Sequence, residues 1–187
     1  MKKIAVFASG NGSNFEALAK GCQRGDIRAE IVLCVTDHPG AYVTERAKKF
    51  GVPVLELRQK DFPGKEEYEK AILSMLEEKE VELICLAGYM RIVGKVLLEA
   101  FPNRILNIHP SLLPAFPGVD AIGQAMNYGV KVYGVTIHYV DETLDGGKII
   151  AQRALDYDGK DRDELESMIH AMEHVLYVET VAKLVNL

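Results

Sequence analysis

The sequence predicts a Rossmann-like α/β fold: an open, mostly parallel twisted sheet with helices on both faces, extended near the C-terminus by an antiparallel hairpin. Two observations carry that expectation. Short β-branched runs alternate with amphipathic stretches through the first two thirds of the chain, the pattern of repeated βαβ units. Beyond the fifth run, two long β-rich segments flank a turn containing Gly146-Gly147, which is the pattern of a hairpin. A length of 187 residues without a break in composition fits one domain spanning residues 1–187.

The expected parallel strands are Ile4–Ala8, Ile31–Thr36, Val54–Leu57, Leu83–Ala87 and Ile105–Ile108, each apolar enough to be covered on both faces. Helices are expected between them at Asn14–Gln23, Tyr42–Phe50 and Lys65–Lys79. In the third, Tyr68, Ile72, Met75 and Leu76 recur at helical spacing. Gly51-Val52-Pro53 ends the second. Lys131–Val140 and Lys148–Leu155 make the hairpin. A last helix runs from roughly Asp161 to Leu184, with acidic residues at its start to complement the positive end of the helix dipole.

Composition narrows the class of partner. Apolar residues make up 48% and charged residues 26%, as in an ordinary globular protein, and no apolar run reaches the roughly 18 residues of a membrane span. The start, MKKIAVFASG, faintly mimics a secretory signal, but Gly10, Asn11 and Gly12 cut its apolar stretch short. Cys22, Cys34 and Cys85 form no CxxC pair, and two of them lie in expected core strands, so they read as small buried hydrophobes of a reducing cytoplasm. A net charge of −5 argues against an extensive nucleic-acid footprint and for small-molecule substrates.

In open α/β sheets ligands bind beyond the carboxyl ends of the parallel strands. Unusual residues cluster at three such ends: Ser9-Gly10-Asn11-Gly12-Ser13-Asn14, Gly88-Tyr89-Met90-Arg91, and His109-Pro110-Ser111-Leu112-Leu113-Pro114. The first places two glycines before a helix, so that backbone N–H groups and the helix dipole cradle a phosphate. A plain turn capped by Ser13 or Asn14 is the alternative. Phe15 stands where the dinucleotide fingerprint needs a third glycine, which weakens NAD as a ligand although Asp37 lies near the position of a ribose-binding acid.

In Asn107-Ile108-His109, strand alternation puts Asn107 and His109 on one side, where the amide can donate to a developing oxyanion and the imidazole can move a proton. A structural histidine is the alternative. Asp145 sits in Leu144-Asp145-Gly146-Gly147, and Asp-Gly is equally a common turn pair; folded toward His109, its carboxylate would orient the ring and favour its protonated form. His170-Ala171-Met172-Glu173-His174 matches an inverted zinc-protease signature, but no third ligand is evident, so no metal is expected.

SGNGSN, AGYMRI, NIHPSLLP and LDGG, in this order over essentially the whole chain, resemble the phosphoribosylglycinamide formyltransferase family of purine biosynthesis. The resemblance implies transfer of a formyl group from 10-formyltetrahydrofolate, a co-substrate, to the primary amine of glycinamide ribonucleotide, without a metal. It implies that Asn107, His109 and Asp145 are the catalytic group. Gly12, Ser13 and Asn14 would hold the substrate phosphate, with His170 and Glu173 on the rest of the nucleotide. Met90, Arg91, Ile92 and Val93 would line the pterin pocket, Asp141, Glu142, Thr143 and Leu144 would form the rest of the folate site, and Lys65 would face the glutamate tail. Lys65 stands where the family often has Arg, and His170 where some relatives have Gln. A monomer or homodimer is expected. Formyl-folate hydrolase and methionyl-tRNA formyltransferase share part of the chemistry, but a strand beginning at Ile4 and an end at Leu187 leave no room for their extra domains. A non-catalytic nucleotide-binding module would need only the first loop.

Overall fold

The computed structural model describes residues 1–187. Seven strands form one sheet: β1 (Lys2–Phe7), β2 (Ala29–Thr36), β3 (Val54–Glu56), β4 (Leu83–Leu86), β5 (Ile105–His109), β6 (Val132–Tyr139) and β7 (Ile149–Asp156). Their order is β3-β2-β1-β4-β5-β6-β7. The first five are parallel, and β6 and β7 add antiparallel pairs at one edge. The order reverses between β1 and β4, which makes their carboxyl ends the natural crevice of the sheet.

Six α-helices and one 3₁₀ turn (Gln59–Asp61) complete the chain: α1 (Ser13–Arg24), α2 (Tyr42–Lys49), α3 (Lys65–Glu78), α4 (Lys95–Ala100), α5 (Ala121–Tyr128) and α6 (Arg162–Val185). α4 and α5 are additions to the expected set. Both are short, and α5 carries Gly123 inside it, so neither shows a sustained helical period. Asp120 caps α5 by accepting from the Gly123 N–H, and Asp161 caps α6 by accepting from the Glu164 N–H. No helix is long and apolar enough to cross a membrane.

Two apolar cores flank the sheet. The larger joins Ile4, Val6 and Cys85 to Phe15 and Leu18 of α1, Val43 of α2, Ile122 of α5 and Tyr177 of α6. The smaller joins Ala5, Phe7, Leu33 and Ile84 to Tyr68 and Ile72 of α3 and Leu97 of α4. Ile105 belongs to the smaller core, whereas Val135 and Ile137 of β6 belong to the larger. The second face of β5 and β6 therefore carries polar side chains, Asn107, His109, Thr136 and His138, beyond the reach of the smaller core. β3 departs from the expected two-sided burial, because it is a short edge strand with Val54 and Leu55 half-buried and Glu56 exposed.

Register lines up the strand ends. Phe7 pairs with Val35 and Leu86, Leu86 with Asn107, and Asn107 with His138. The loops after β1, β2, β4 and β5 therefore leave from one edge, whereas the β6–β7 connection leaves antiparallel β6 in the opposite direction. The thiols are inert parts of the core: burial pushes Cys34 and Cys85 up to about 12 and Cys22 up to about 11.

α6 is fastened to the sheet at the same row. The fully buried Tyr177 hydroxyl donates to the Leu86 carbonyl at 2.8 Å. Tyr177→Phe should lower stability by about 1 kcal/mol, the net worth of a buried neutral hydrogen bond, seen as a lower urea midpoint at unchanged slope.

Candidate active site

His109 ends β5 and is 6% exposed, deep enough that its ring needs partners within the chain. Its Nε2–H donates to the Phe116 carbonyl at 2.9 Å, while Nδ1 lies 3.6 Å from Asp145 Oδ2. The second distance is that of an ion pair, longer than a hydrogen bond. Both ring nitrogens thus face oxygen acceptors, and only the imidazolium carries a proton for each. Asp145 Oδ2 also accepts from the Gly118 N–H at 2.8 Å, so the carboxylate joins the loop after β5 to the β6–β7 connection.

That connection is an extended loop from Val140 to Lys148, in place of the tight turn that Asp-Gly permits. A Cβ on Gly147 would lie 1.7 Å from the Tyr139 carbonyl oxygen, so glycine is required where the loop folds back on β6. Asp145 takes a left-handed backbone, φ 51°, which turns its carboxylate inward. Asp141 Oδ1 accepts from the Thr143 N–H at 2.8 Å and its hydroxyl at 2.5 Å, tying the first half of the loop. Leu144 is left exposed.

Asn107 lies on the same face as His109, and β6 supplies what the sequence reading missed. His138 Nδ1–H donates to the Tyr139 carbonyl at 2.9 Å, which leaves Nε2 as an acceptor for Asn107 Nδ2 at 3.3 Å. The Asn107 amide is thereby oriented, with its oxygen and second N–H free. Beside it the Thr136 hydroxyl donates to the Ser111 carbonyl at 2.7 Å and accepts from the Leu113 N–H and from Gln152 Nε2, both at 3.0 Å. These bonds pin the loop that holds Phe116 and Gly118 in place. The signal in the sequence was Thr136 and His138, polar positions alternating in step with Asn107 and His109.

The loop after β1 ends at Gly12, the N-cap of α1, with φ 78°. A Cβ there would meet Val43 Cγ2 at 2.4 Å, so this position needs glycine both for space and for conformation. Neither Ser13 nor Asn14 caps the helix, contrary to the simple-turn alternative, and the first-turn N–H groups have no side-chain partner. Asn14 instead points at α6: its Nδ2 donates to Glu173 Oε2 at 3.2 Å, while its buried Oδ1 has no partner. Glu173 also accepts from His170 Nδ1 at 3.0 Å.

Beyond β4, Met90 and Ile92 are exposed, whereas Val93 is buried in the smaller core behind them. Lys65 opens α3 with its Cε 2.9 Å from where a Cβ on Gly94 would sit, so its stem lies over this segment. Arg91 is held by Asp37, Nε to Oδ2 at 3.2 Å. The Asp37 side chain is buried and already bonded, so it is not free to receive a ribose.

His170 and His174 should titrate in opposite directions. The hydrogen bond from His170 to Glu173 raises the former, and burial lowers the latter. Histidine titration by nuclear magnetic resonance should place His170 above the ordinary value and His174 below it, and Glu173→Gln should remove the upward shift of His170.

Comparison with known proteins fits this geometry. Residues 2–181 match the family model described as formyl transferase. The chain is 51% identical to phosphoribosylglycinamide formyltransferase of Bacillus subtilis, over 100% of this chain and 96% of the relative. It is 39% identical to the trifunctional purine biosynthetic protein adenosine-3 of Drosophila melanogaster, of which it spans 14%. Glycinamide ribonucleotide transformylase 1 of Geobacillus kaustophilus superposes with a TM-score of 0.96 at 49% identity, covering 99% of each chain. The chain belongs to the formyl transferase family.

Proposed function

We propose that the chain transfers the formyl group of 10-formyltetrahydrofolate to the primary amine of glycinamide ribonucleotide, as a small-molecule enzyme of de novo purine biosynthesis in the cytoplasm, working as a monomer or homodimer. The observation that carries the reading is the approach of Asp145 to His109 beside Asn107, on the same sheet edge as an uncapped phosphate-type loop. β4 alone separates β1 from β5, so the two loops stand roughly 10 Å apart by strand spacing, a distance that a ribose bridges together with its phosphate ester and glycinamide arm.

In this reading the nucleotide phosphate rests on the N–H groups of Gly12, Ser13 and Asn14. Glu173 and His170 face the remainder of the nucleotide, and the unpartnered Asn14 Oδ1 is available to it. The folate lies against Met90, Arg91 and Ile92 and the loop from Asp141 to Leu144, with Lys65 beside its glutamate; Val93 supports this wall from behind. The exposed apolar side chains of Met90, Ile92 and Leu144 suit a flat heteroaromatic body.

The amine nitrogen attacks the formyl carbon, and the Asn107 amide and imidazolium of His109 donate to the oxyanion that forms. For that, His109 exchanges its bond to the Phe116 carbonyl for one to the oxyanion, while Asp145 stays beside Nδ1. The amine proton passes by way of His109 or a water to the departing folate nitrogen as its bond to carbon breaks. The products are the N-formyl nucleotide and tetrahydrofolate. No step uses a metal.

The test is the absorbance change of 10-formyltetrahydrofolate with purified protein, with and without glycinamide ribonucleotide. Consumption only with the nucleotide is the expected result; equal consumption without it would make the chain a hydrolase. His109→Ala and Asp145→Ala should each lower turnover by about a hundredfold or more while circular dichroism stays unchanged. Gly12→Ala should weaken nucleotide binding at least tenfold in calorimetry, since the new methyl group displaces the amides from their positions.

A further inference from the structure

We infer that Asp37 is a positioning residue for the formyl donor: its carboxylate holds Arg91 and, through Ser9, the Met90 amide, and so sets donor affinity. The inference rests on the proposed function in taking the β4 end as the donor site. Three strand-end loops converge on this side chain. Oδ1 accepts from the Ser9 hydroxyl after β1 at 2.5 Å and lies 3.0 Å from His38 Nδ1 after β2. Oδ2 receives Arg91 Nε, after β4, at 3.2 Å. The Ser9 oxygen in turn accepts from the Met90 N–H at 2.8 Å, which closes a ring of contacts through β1, β2 and β4.

A carboxylate that is 1% exposed is costly to bury, and a packed apolar residue would stabilise the fold at least as well. Its placement answers a different need. Burial pushes the Asp37 carboxyl up, but the hydrogen bonds from Ser9 and His38 outweigh this and leave it below its ordinary value. The group is therefore a fixed anion at neutral pH. Arg91 spends its Nε on that anion, and its Nη1 reaches only Gln59 at 3.5 Å, so the outer edge of the guanidinium is free. That edge opens on a cleft of about 410 Å³ lined also by His38, Pro39, Arg58 and Lys60. Such a cleft suits the carboxylates of a folate, and Asp37 holds its central cation in place.

Asp37→Asn separates positioning from fold. The isosteric amide can keep its oxygen on Ser9, which then turns its NH2 toward the Arg91 Nε–H and breaks only that contact. In steady-state kinetics we expect Asp37→Asn to raise KM for 10-formyltetrahydrofolate about tenfold, with KM for the nucleotide and kcat within about threefold of the parent. Added to Arg91→Ala, it should raise donor KM no further, because the interaction is already gone. An unchanged donor KM, an equal loss in all three constants, or a full additional effect in the Arg91→Ala background would overturn the inference. Exchange protection of the Arg91 Nε–H, read by nuclear magnetic resonance, should be present in the parent and lost in Asp37→Asn; protection that persists overturns the clasp itself. If the parent catalyses no nucleotide-dependent transfer, the proposed reaction fails, and this resonance still decides whether Asp37 holds Arg91.

Discussion

The register of the parallel sheet is the constraint on which the rest of the molecule depends. Because Val35, Phe7, Leu86, Asn107 and His138 stand in one row, the connections after β1, β2, β4 and β5 leave from the same edge, and the β6–β7 connection, which leaves β6 in the opposite direction, folds back to them through Asp145. A slip of one residue in β5 would turn Asn107 and His109 toward the larger core and Leu106 and Ile108 out of it. The apolar alternation that builds the cores therefore also aims the polar residues of the site. Fold and site are specified by the same alternation of residues.

A second consequence is the uneven cover of the sheet. α3 and α4 pack over the central strands, while the matching face of β5 and β6 is crossed by the loop that follows His109. Polar groups can be retained there at low cost because each finds a partner: Asn107 with His138, Thr136 with Ser111, Leu113 and Gln152, His109 with Phe116 and Asp145. The loop is thereby held by the residues whose surroundings it completes. Its positive-φ residues Phe116 and Gly118 belong to that arrangement, one presenting a carbonyl to the histidine and the other an amide to the aspartate.

Much of this was legible in the sequence. β-branched runs mark the strands because buried parallel strands tolerate little else, and the Asp-rich start of α6 marks its cap. α4 and α5 were not legible, since helices so short leave no period to read. Asn107 and His109 stood out by alternation at a strand end, but Asp145 could not be told from turn chemistry until the distance to His109 was known. His138, Thr136 and Gln152 did not stand out, since a single strand does not tell which face another segment covers. Asp37 drew attention as a possible ribose ligand, whereas three converging loops bury it. Convergence of loops from separate strands is a property of the fold that local sequence does not carry.

The measurement that tests the central claim most directly is a crystal structure of the protein with glycinamide ribonucleotide and a folate that cannot give up its formyl group. The account predicts the phosphate on the amides of Gly12, Ser13 and Asn14, the folate ring beside Met90 and Ile92, and the amine between them within reach of Asn107 and His109. A nucleotide bound elsewhere, or an amine directed away from the His109–Asp145 pair, would contradict it.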